Sequence, residues 1–165
     1  MSAQVQELMV RKSITIDAPA AHVFTVFSEH FDAWWPRKQH IGKTEKFSAI
    51  LEPRVGGRWY EKSDDGSECD WGRVLAWQPP KYILLSWNIN DQWRYDPNFV
   101  TEVEVRFVAE TSQRTRVELE HRKLDRFGDQ AAKMRALFDS PQGWAGTLQA
   151  FAQEVQRQHT AKSKL

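Results

Sequence analysis

The sequence predicts an α+β helix-grip fold, in which a bent antiparallel sheet of about seven strands wraps around a long C-terminal helix. Three observations predict it: a strand pattern followed at once by a helical pattern, six further strand patterns joined by short turns, and an apolar stripe of helical spacing near the end. With 165 residues, of which 41% are hydrophobic, the chain can bury one sizeable core. We therefore expect a single domain over residues 1–165, with its core at about 10–157.

The first strand and two short helices open this pattern. Along Val10–Ile16 apolar and polar residues alternate, which indicates a half-buried strand. From Pro19 onwards the apolar residues recur at three- and four-residue steps, which is typical of a helix. Because a proline disfavours helical backbone at the residue before it, this helical segment is expected to break ahead of Trp34, Trp35 and Pro36.

Six further strands are predicted from period-two patterns separated by turns that contain glycine, proline or aspartate. They cover residues 46–52, 58–62, 68–77, 81–89, 100–110 and 114–122. Their short connections predict an antiparallel sheet, because parallel strands need long crossovers. Residues 124–137 follow as an irregular or short helical insertion, which we place near the mouth of a cavity.

The last predicted element is a long helix, with Ser140 as its cap and Pro141 in its first turn. Its apolar stripe consists of Trp144, Leu148, Phe151 and Val155. A bent sheet can bury this stripe only by wrapping around it, and such packing leaves a hollow between helix and sheet. The polar tail at 158–165 has no stripe and is expected to fray.

The aromatic strands between Gly56 and Trp87 predict that this hollow is a binding cavity. The pair Gly56–Gly57 permits a tight backbone turn, and the tryptophans supply more bulk than one small sheet face needs. Any single tryptophan could be simple core, but so many rigid rings are hard to pack without a gap. The candidate ligand-binding residues are Trp34, Trp35, Trp59, Trp71, Trp87, His121, Trp144 and Leu148, with Trp34 and Trp35 placed at the rim.

Titratable residues near this cavity have two interpretations each. His121 continues the inward parity of its strand, so it could orient a ligand or act as a general base, or it could be a satisfied core histidine. Glu61 and Asp70, with nearby arginines Arg58 and Arg73, could form an internal ion pair, although a solvated outer face is the simpler explanation. The polar and aromatic tip at 91–96 is interpreted as an exposed loop rather than a partner contact.

Composition narrows the function classes. The 23 basic and 22 acidic residues give a net charge of +1, so no overall field favours nucleic acid or an anionic membrane. The single cysteine, Cys69, excludes an intramolecular disulfide and fits a reducing compartment. Because no histidine is adjacent to it, the sequence does not indicate a nucleophilic thiol.

The sequence predicts neither a metal site nor a cofactor. The five histidines have no close spacing of the kind that metal ligands show, and the phosphate-loop and GxGxxG motifs of nucleotide-binding proteins are missing. Without a signal-peptide pattern or a membrane-length apolar stretch, we expect a cytoplasmic protein.

Several motifs, taken together, resemble one known family. They are Ile-Thr-Ile-Asp-Ala-Pro-Ala-Ala-His-Val-Phe, Gly-Gly-Arg-Trp-Tyr, Gly-Arg-Val-Leu-Ala-Trp-Gln-Pro-Pro-Lys-Tyr-Ile-Leu-Leu-Ser-Trp, and Gly-Trp before the last helix. Over residues 10–155 or so, the chain resembles the activator of heat-shock protein 90 ATPase homologue family, within the START/Bet v 1-like (SRPBCC) superfamily. The resemblance implies the helix-grip fold and a cavity, but this superfamily hosts many functions.

Three functions stay open on this resemblance. The first is a protein that binds a hydrophobic, aromatic or lipid-like small molecule. The second is a cyclase- or hydrolase-type enzyme that uses the same cavity, with His121, Asp70 or Glu61 as acid or base. The third is a chaperone-interacting or regulatory protein, which is disfavoured because nothing before Val10 matches the amino-terminal domain of the eukaryotic co-chaperone. A homodimer formed through a sheet edge or the rim tryptophans is a further expectation.

Overall fold

The computed structural model describes residues 8–163, which form one antiparallel sheet with helices packed against it. The strands are β1 (Val10–Ile16), β2 (Phe47–Leu51), β3 (Arg58–Ser63), β4 (Glu68–Gln78), β5 (Tyr82–Trp87), β6 (Thr101–Thr111) and β7 (Arg114–Arg122). The helices are α1 (Ala20–Ser28), α2 (Phe31–Trp34), α3 (Ala131–Asp139) and α4 (Trp144–Ser163), with a 3-10 helix at Leu124–Gln130. The predicted helix-grip fold is confirmed, including the two short helices after the first strand.

The sheet order is β1-β7-β6-β5-β4-β3-β2, so the first strand closes the sheet beside the last one. Helix α4 packs against β1, α1 and α2, which holds it on the inner face of the sheet. Its predicted stripe is buried as a whole, from Trp144 through Leu148 and Phe151 to Val155. The core therefore lies between this helix and the inward side chains of the strands.

Two β-bulges change which residues of the central strands face inwards. Simple alternation places Trp71, Arg73, Leu75 and Trp77 on one face, and the structure corrects this. The register shifts between Trp59 and Tyr60 on β3, and again between Val74 and Ala76 on β4. As a result Trp71 is buried, Arg73 and Leu75 are exposed, and Trp77 is half-buried. A bulge adds a residue to one strand, so the parity reverses beyond it.

Gly72 allows three strands to approach closely behind the aromatic wall. It lies opposite Trp59 in the β3–β4 ladder, and the Trp59 indole donates to the Ser86 carbonyl at 2.7 Å. A Cβ on Gly72 would sit 1.9 Å from that carbonyl oxygen and 2.5 Å from the indole nitrogen. Only glycine fits here, because any side chain would displace the indole or the neighbouring strand.

The junction between α3 and α4 differs from the sequence prediction. Helix α4 begins at Trp144, after a turn in which the Gly143 amide donates to the Ser140 carbonyl. The Ser140 hydroxyl donates to the Leu137 carbonyl, so this residue closes α3 rather than capping α4. The tail expected to fray from residue 158 is helical as far as Ser163, where the described helix ends. Residues 164 and 165 lie outside the described part.

Candidate functional site

A cavity of about 550 Å³ opens between the start of α4, the end of α3, the inner face of β4 and β5, and the coil that follows α2. This volume is within the usual range for small-molecule sites. Its aromatic wall consists of Trp35, Trp71, Trp87, Trp93, Trp144 and Phe138. The cavity is lined mainly by aromatic rings, and Trp144 is the residue of the predicted α4 stripe that reaches it.

The rings of this wall meet at tilted or edge-on angles. Trp35 and Trp71 have their centroids 5.1 Å apart with an interplanar angle of 37°, while Trp87 and Trp144 meet edge to face at 5.9 Å. Trp35 also contacts Trp144 at 6.0 Å. Such tilted and edge-to-face contacts stabilise the rings against one another.

Polar groups occupy another side of the same cavity. They come from Lys38, Gln39, His40, Ser140 and Gln142. The Gln39 amide donates to the Gln142 carbonyl and to the Thr147 hydroxyl, which joins the coil to α4. His40 Nδ1 lies 2.9 Å from the Gly42 carbonyl oxygen, which can only accept. In neutral His40 the proton therefore resides on Nδ1, and Nε2 keeps its lone pair.

His121 lies behind the aromatic wall, where it supports two of its tryptophans. The Trp144 indole, which can only donate, gives its hydrogen bond to His121 Nδ1 at 3.1 Å. Nε2 therefore carries the proton and donates to the Thr101 hydroxyl at 2.9 Å, and that hydroxyl donates to the Trp87 carbonyl. Burial lowers the pKa of His121 to about 3, so it is a neutral structural group at ordinary pH.

Glu61 is fully buried, so the interpretation of an outer solvated face is wrong for this residue. One carboxyl oxygen accepts the Ile41 amide at 2.6 Å and the Trp71 indole at 3.0 Å. The other accepts the Gly42 amide at 3.1 Å. Glu61 therefore connects the coil at 41–42 to the aromatic wall, because it accepts hydrogen bonds from two backbone amides of the coil and from the indole of Trp71.

The eight predicted ligand-binding residues divide into two groups. Those that line the cavity are Trp35, Trp71, Trp87 and Trp144. Those that are buried behind or beside it are Trp34, Trp59, His121 and Leu148. The rim position expected for Trp34 and Trp35 is wrong, because each side chain is only 4% exposed. The Trp34 indole donates to the Val26 carbonyl, which fixes it in the core.

Sequence reasoning missed several lining residues, notably Trp93, His40 and Phe138. Trp93 lies at the tip 91–96, for which the sequence predicts an exposed loop. It is 43% exposed, contacts Phe138 edge to face at 6.2 Å and lines the cavity. The run of aromatic and polar residues at 91–96 was the available signal. His40 lies in a coil, where no periodicity indicates direction.

The other titratable candidates lie off the aromatic wall. Arg58 donates to Asp70 at 2.5 Å and to Glu68 at 2.9 Å on the outer side of β3 and β4. For Arg58 and Asp70 the solvated outer face is therefore the correct interpretation, and the internal ion pair is wrong. The pKa of the Cys69 thiol is raised, first by burial and then by the charges of Glu61 and Asp70, which disfavours a thiolate. Within residues 8–163, no cluster of three or more potential metal ligands occurs.

These features define a helix-grip protein with an aromatic cavity, and comparison with known proteins places it in a family. Residues 17–156 match the model of the family described as Activator of Hsp90 ATPase homolog 1-like protein. The chain belongs to this family, within the START/Bet v 1-like superfamily, as its motifs predicted. A comparison with curated proteins gives no significant match.

Solved structures give closer relatives. The chain is 41% identical to the anthrahydroquino-γ-pyrone synthase Txn09, covering 89% of this chain and 97% of that one, with a TM-score of 0.63. It is 33% identical to CalC, a self-sacrificing resistance protein from Micromonospora echinospora, covering 91% and 95%, with a TM-score of 0.68. The Aha1 dimer from Colwellia psychrerythraea, at 17% identity, 90% and 96% coverage and a TM-score of 0.58, shares the fold.

Proposed function

We propose that this protein binds a planar, polycyclic aromatic small molecule, of the anthraquinone type, in the 550 Å³ cavity. The observation that carries the proposal is the wall of five tryptophans and Phe138 that lines this cavity. Rigid indoles offer large apolar area at low entropic cost and stack on planar rings. The polar residues on the other side would orient hydroxyl or carbonyl groups of such a ligand.

The relatives support the same ligand class. Txn09 is named as a synthase of an anthrahydroquino-γ-pyrone, which is a polycyclic aromatic product, and its sequence identity with this chain is 41%. The lipid-like ligand expected from sequence is less well matched, because the wall is aromatic rather than aliphatic. Binding, rather than a defined reaction, is therefore the function that the geometry supports best.

Calorimetric titration with emodin, a trihydroxylated anthraquinone, tests this proposal. At an efficiency typical of drug-sized ligands, we expect a Kd of about 10⁻⁵ M. Trp71→Phe should weaken binding about threefold to tenfold, because part of an aromatic stack is lost. Trp77→Phe is the matched control, since it lies on the same strand but off the cavity, packed against Phe24.

The two tryptophan variants separate the proposal from a general effect on folding. The control should keep the wild-type Kd. Absence of saturable emodin binding to the wild type, or equal weakening by both variants, would contradict binding in this cavity.

A ring-forming enzyme is the second candidate, and His40 favours it. His40 lines the cavity, and its Nε2 keeps a lone pair because Nδ1 donates to the Gly42 carbonyl. None of the acid–base candidates from sequence, His121, Asp70 and Glu61, lines the aromatic cavity. In a pyrone-type closure, Nε2 would take the proton of a phenol as its oxygen adds to an enone, and the imidazolium would return that proton to the enolate carbon.

A surrogate reaction tests this second candidate. 2′-Hydroxychalcone closes to flavanone by the same addition, and the loss of its absorbance reports the rate. An enzyme of this type should accelerate closure, and His40→Gln should lower kcat by about a hundredfold with little change in KM. Equal rates of closure with His40→Gln and with wild type would show that His40 is not the acid–base group of this reaction.

A further inference from the structure

A second cavity adjoins the aromatic one. It has a volume of about 540 Å³, is more open, and lies over the outer end of β3 and β4. Ile41 and Trp93 line both cavities, so these two side chains form a shared wall. A ligand that fills the aromatic cavity could therefore extend past this wall into the second one.

The shared wall is built by an unusual loop conformation. Trp93 has a φ of 58°, in the left-handed region that a bulky residue rarely adopts. The loop is held by the Asn90 side chain, which accepts the amides of Gln92 and Arg94, while the Trp93 amide donates to the Asn90 carbonyl. Backbone strain of this kind is retained where the surrounding structure fixes it, often at ligand contacts.

Four charged side chains line the second cavity, and their charges balance. Arg58 and Arg94 contribute two positive charges, and Glu68 and Asp70 contribute two negative charges. Arg58 is paired with both carboxylates. By contrast, among residues 8–163 the Arg94 guanidinium and the Tyr95 hydroxyl have no hydrogen-bond or ion-pair partner. A neutral group rich in hydroxyls fits this surface better than a phosphate or an ammonium, because it pairs with donors and acceptors without adding charge.

We propose that the two cavities form one bipartite site for a planar aromatic compound that bears a sugar or a similar neutral polyhydroxyl group. The aromatic part would occupy the tryptophan cavity, and the polyhydroxyl part would pass the wall of Ile41 and Trp93 to reach Arg94 and Tyr95. This inference rests on the proposed function, since it adds a second compartment to the same ligand.

Calorimetry with emodin and emodin 8-O-β-glucoside, a pair that differs only by the sugar, tests the bipartite site. The wild type should bind the glucoside about tenfold more tightly than emodin, as expected for one or two net hydrogen bonds. Arg94→Gln and Tyr95→Phe should each weaken glucoside binding about threefold to fivefold and leave emodin binding unchanged. Arg11→Gln, an exposed arginine on β1 at the far edge of the sheet, is the control and should change neither.

The outcomes separate this inference from the proposed function. If emodin binds and the glucoside binds no more tightly than emodin, the bipartite site is refuted. The aromatic cavity then remains the binding site. A preference for the glucoside that survives Arg94→Gln and Tyr95→Phe would overturn it as well. If neither compound binds the wild type, the proposed function fails, and this inference fails with it.

Discussion

His121 shapes the binding wall although it has no exposed surface. Its two ring nitrogens are used by the Trp144 indole and the Thr101 hydroxyl, and that hydroxyl donates to the Trp87 carbonyl. The general-base role considered from sequence would require the opposite, a histidine with one nitrogen open to the cavity. At the scale of residues, the alternation of apolar and polar residues along β7 correctly predicts that His121 points inwards. That alternation could not show that an aromatic ring separates His121 from the cavity.

The depressed pKa of His121 predicts an acid-dependent loss of stability. Its folded pKa is about 3 and its ordinary value is 6.5, so between these values the unfolded chain binds a proton that the folded chain does not. The stabilisation is complete above pH 6.5 and is lost as pH falls, with a slope of about 1.4 kcal/mol per pH unit. His121→Gln, which can still accept from Trp144 and donate to Thr101, should remove this component.

Urea unfolding at several pH values measures the effect. The free energy of unfolding of wild type minus that of His121→Gln should shrink as pH falls from 6.5 towards 3. His30→Gln, at an exposed histidine, is the control and should follow the wild-type curve. Parallel curves for wild type and His121→Gln would show that folding does not lower the pKa of His121.

At the scale of elements, the coil between α2 and β2 depends on Glu61. The three hydrogen bonds to this buried carboxylate come from Ile41, Gly42 and Trp71, and Ile41 and Trp71 both line the cavity. Gly42 packs so closely that a Cβ there would lie 2.8 Å from the carboxyl oxygen. The coil is therefore a fixed part of the cavity wall.

Glu61→Gln should loosen this coil. The amide group replaces one acceptor with a donor, which would then face an N–H group in a buried place, at a cost of about 2 kcal/mol. We expect faster hydrogen exchange at Ile41 and Gly42, measured by NMR, together with a lower free energy of unfolding. Glu45→Gln, at an exposed position in the same coil, should change neither quantity. Unchanged exchange at 41–42 in Glu61→Gln would refute this role for the carboxylate.

The order of strands and helices could be predicted from sequence, because apolar periodicity records which side of an element is buried. Four cavity residues, Trp35, Trp71, Trp87 and Trp144, are predicted instead from the number of bulky tryptophans in the sequence. The burial of Glu61 could not be predicted, since its partners are amides about twenty residues away in a coil without periodicity. The two bulges on β4, at Trp71 and Leu75, depend on cross-strand pairing, which no single strand reveals.

At the scale of the whole molecule, the fold is shared with a synthase, Txn09, and with a resistance protein, CalC. Within the described residues, no helix is long and apolar enough to cross a membrane. Homodimer formation and chaperone interaction stay predictions. Trp34 and Trp35 are buried, so these two tryptophans are not part of a dimer surface. The distribution of the eight tryptophans is the feature that most directly links this fold to a ligand.

The indole N–H signals of these tryptophans provide the most direct test. Five of them, Trp35, Trp71, Trp87, Trp93 and Trp144, line the cavity, whereas Trp34, Trp59 and Trp77 do not. An NMR titration of ¹⁵N-labelled protein with emodin should shift the five cavity signals and leave the other three nearly unchanged. Shifts spread equally over all eight, or confined to the three outside the cavity, would contradict a planar ligand bound at the aromatic wall.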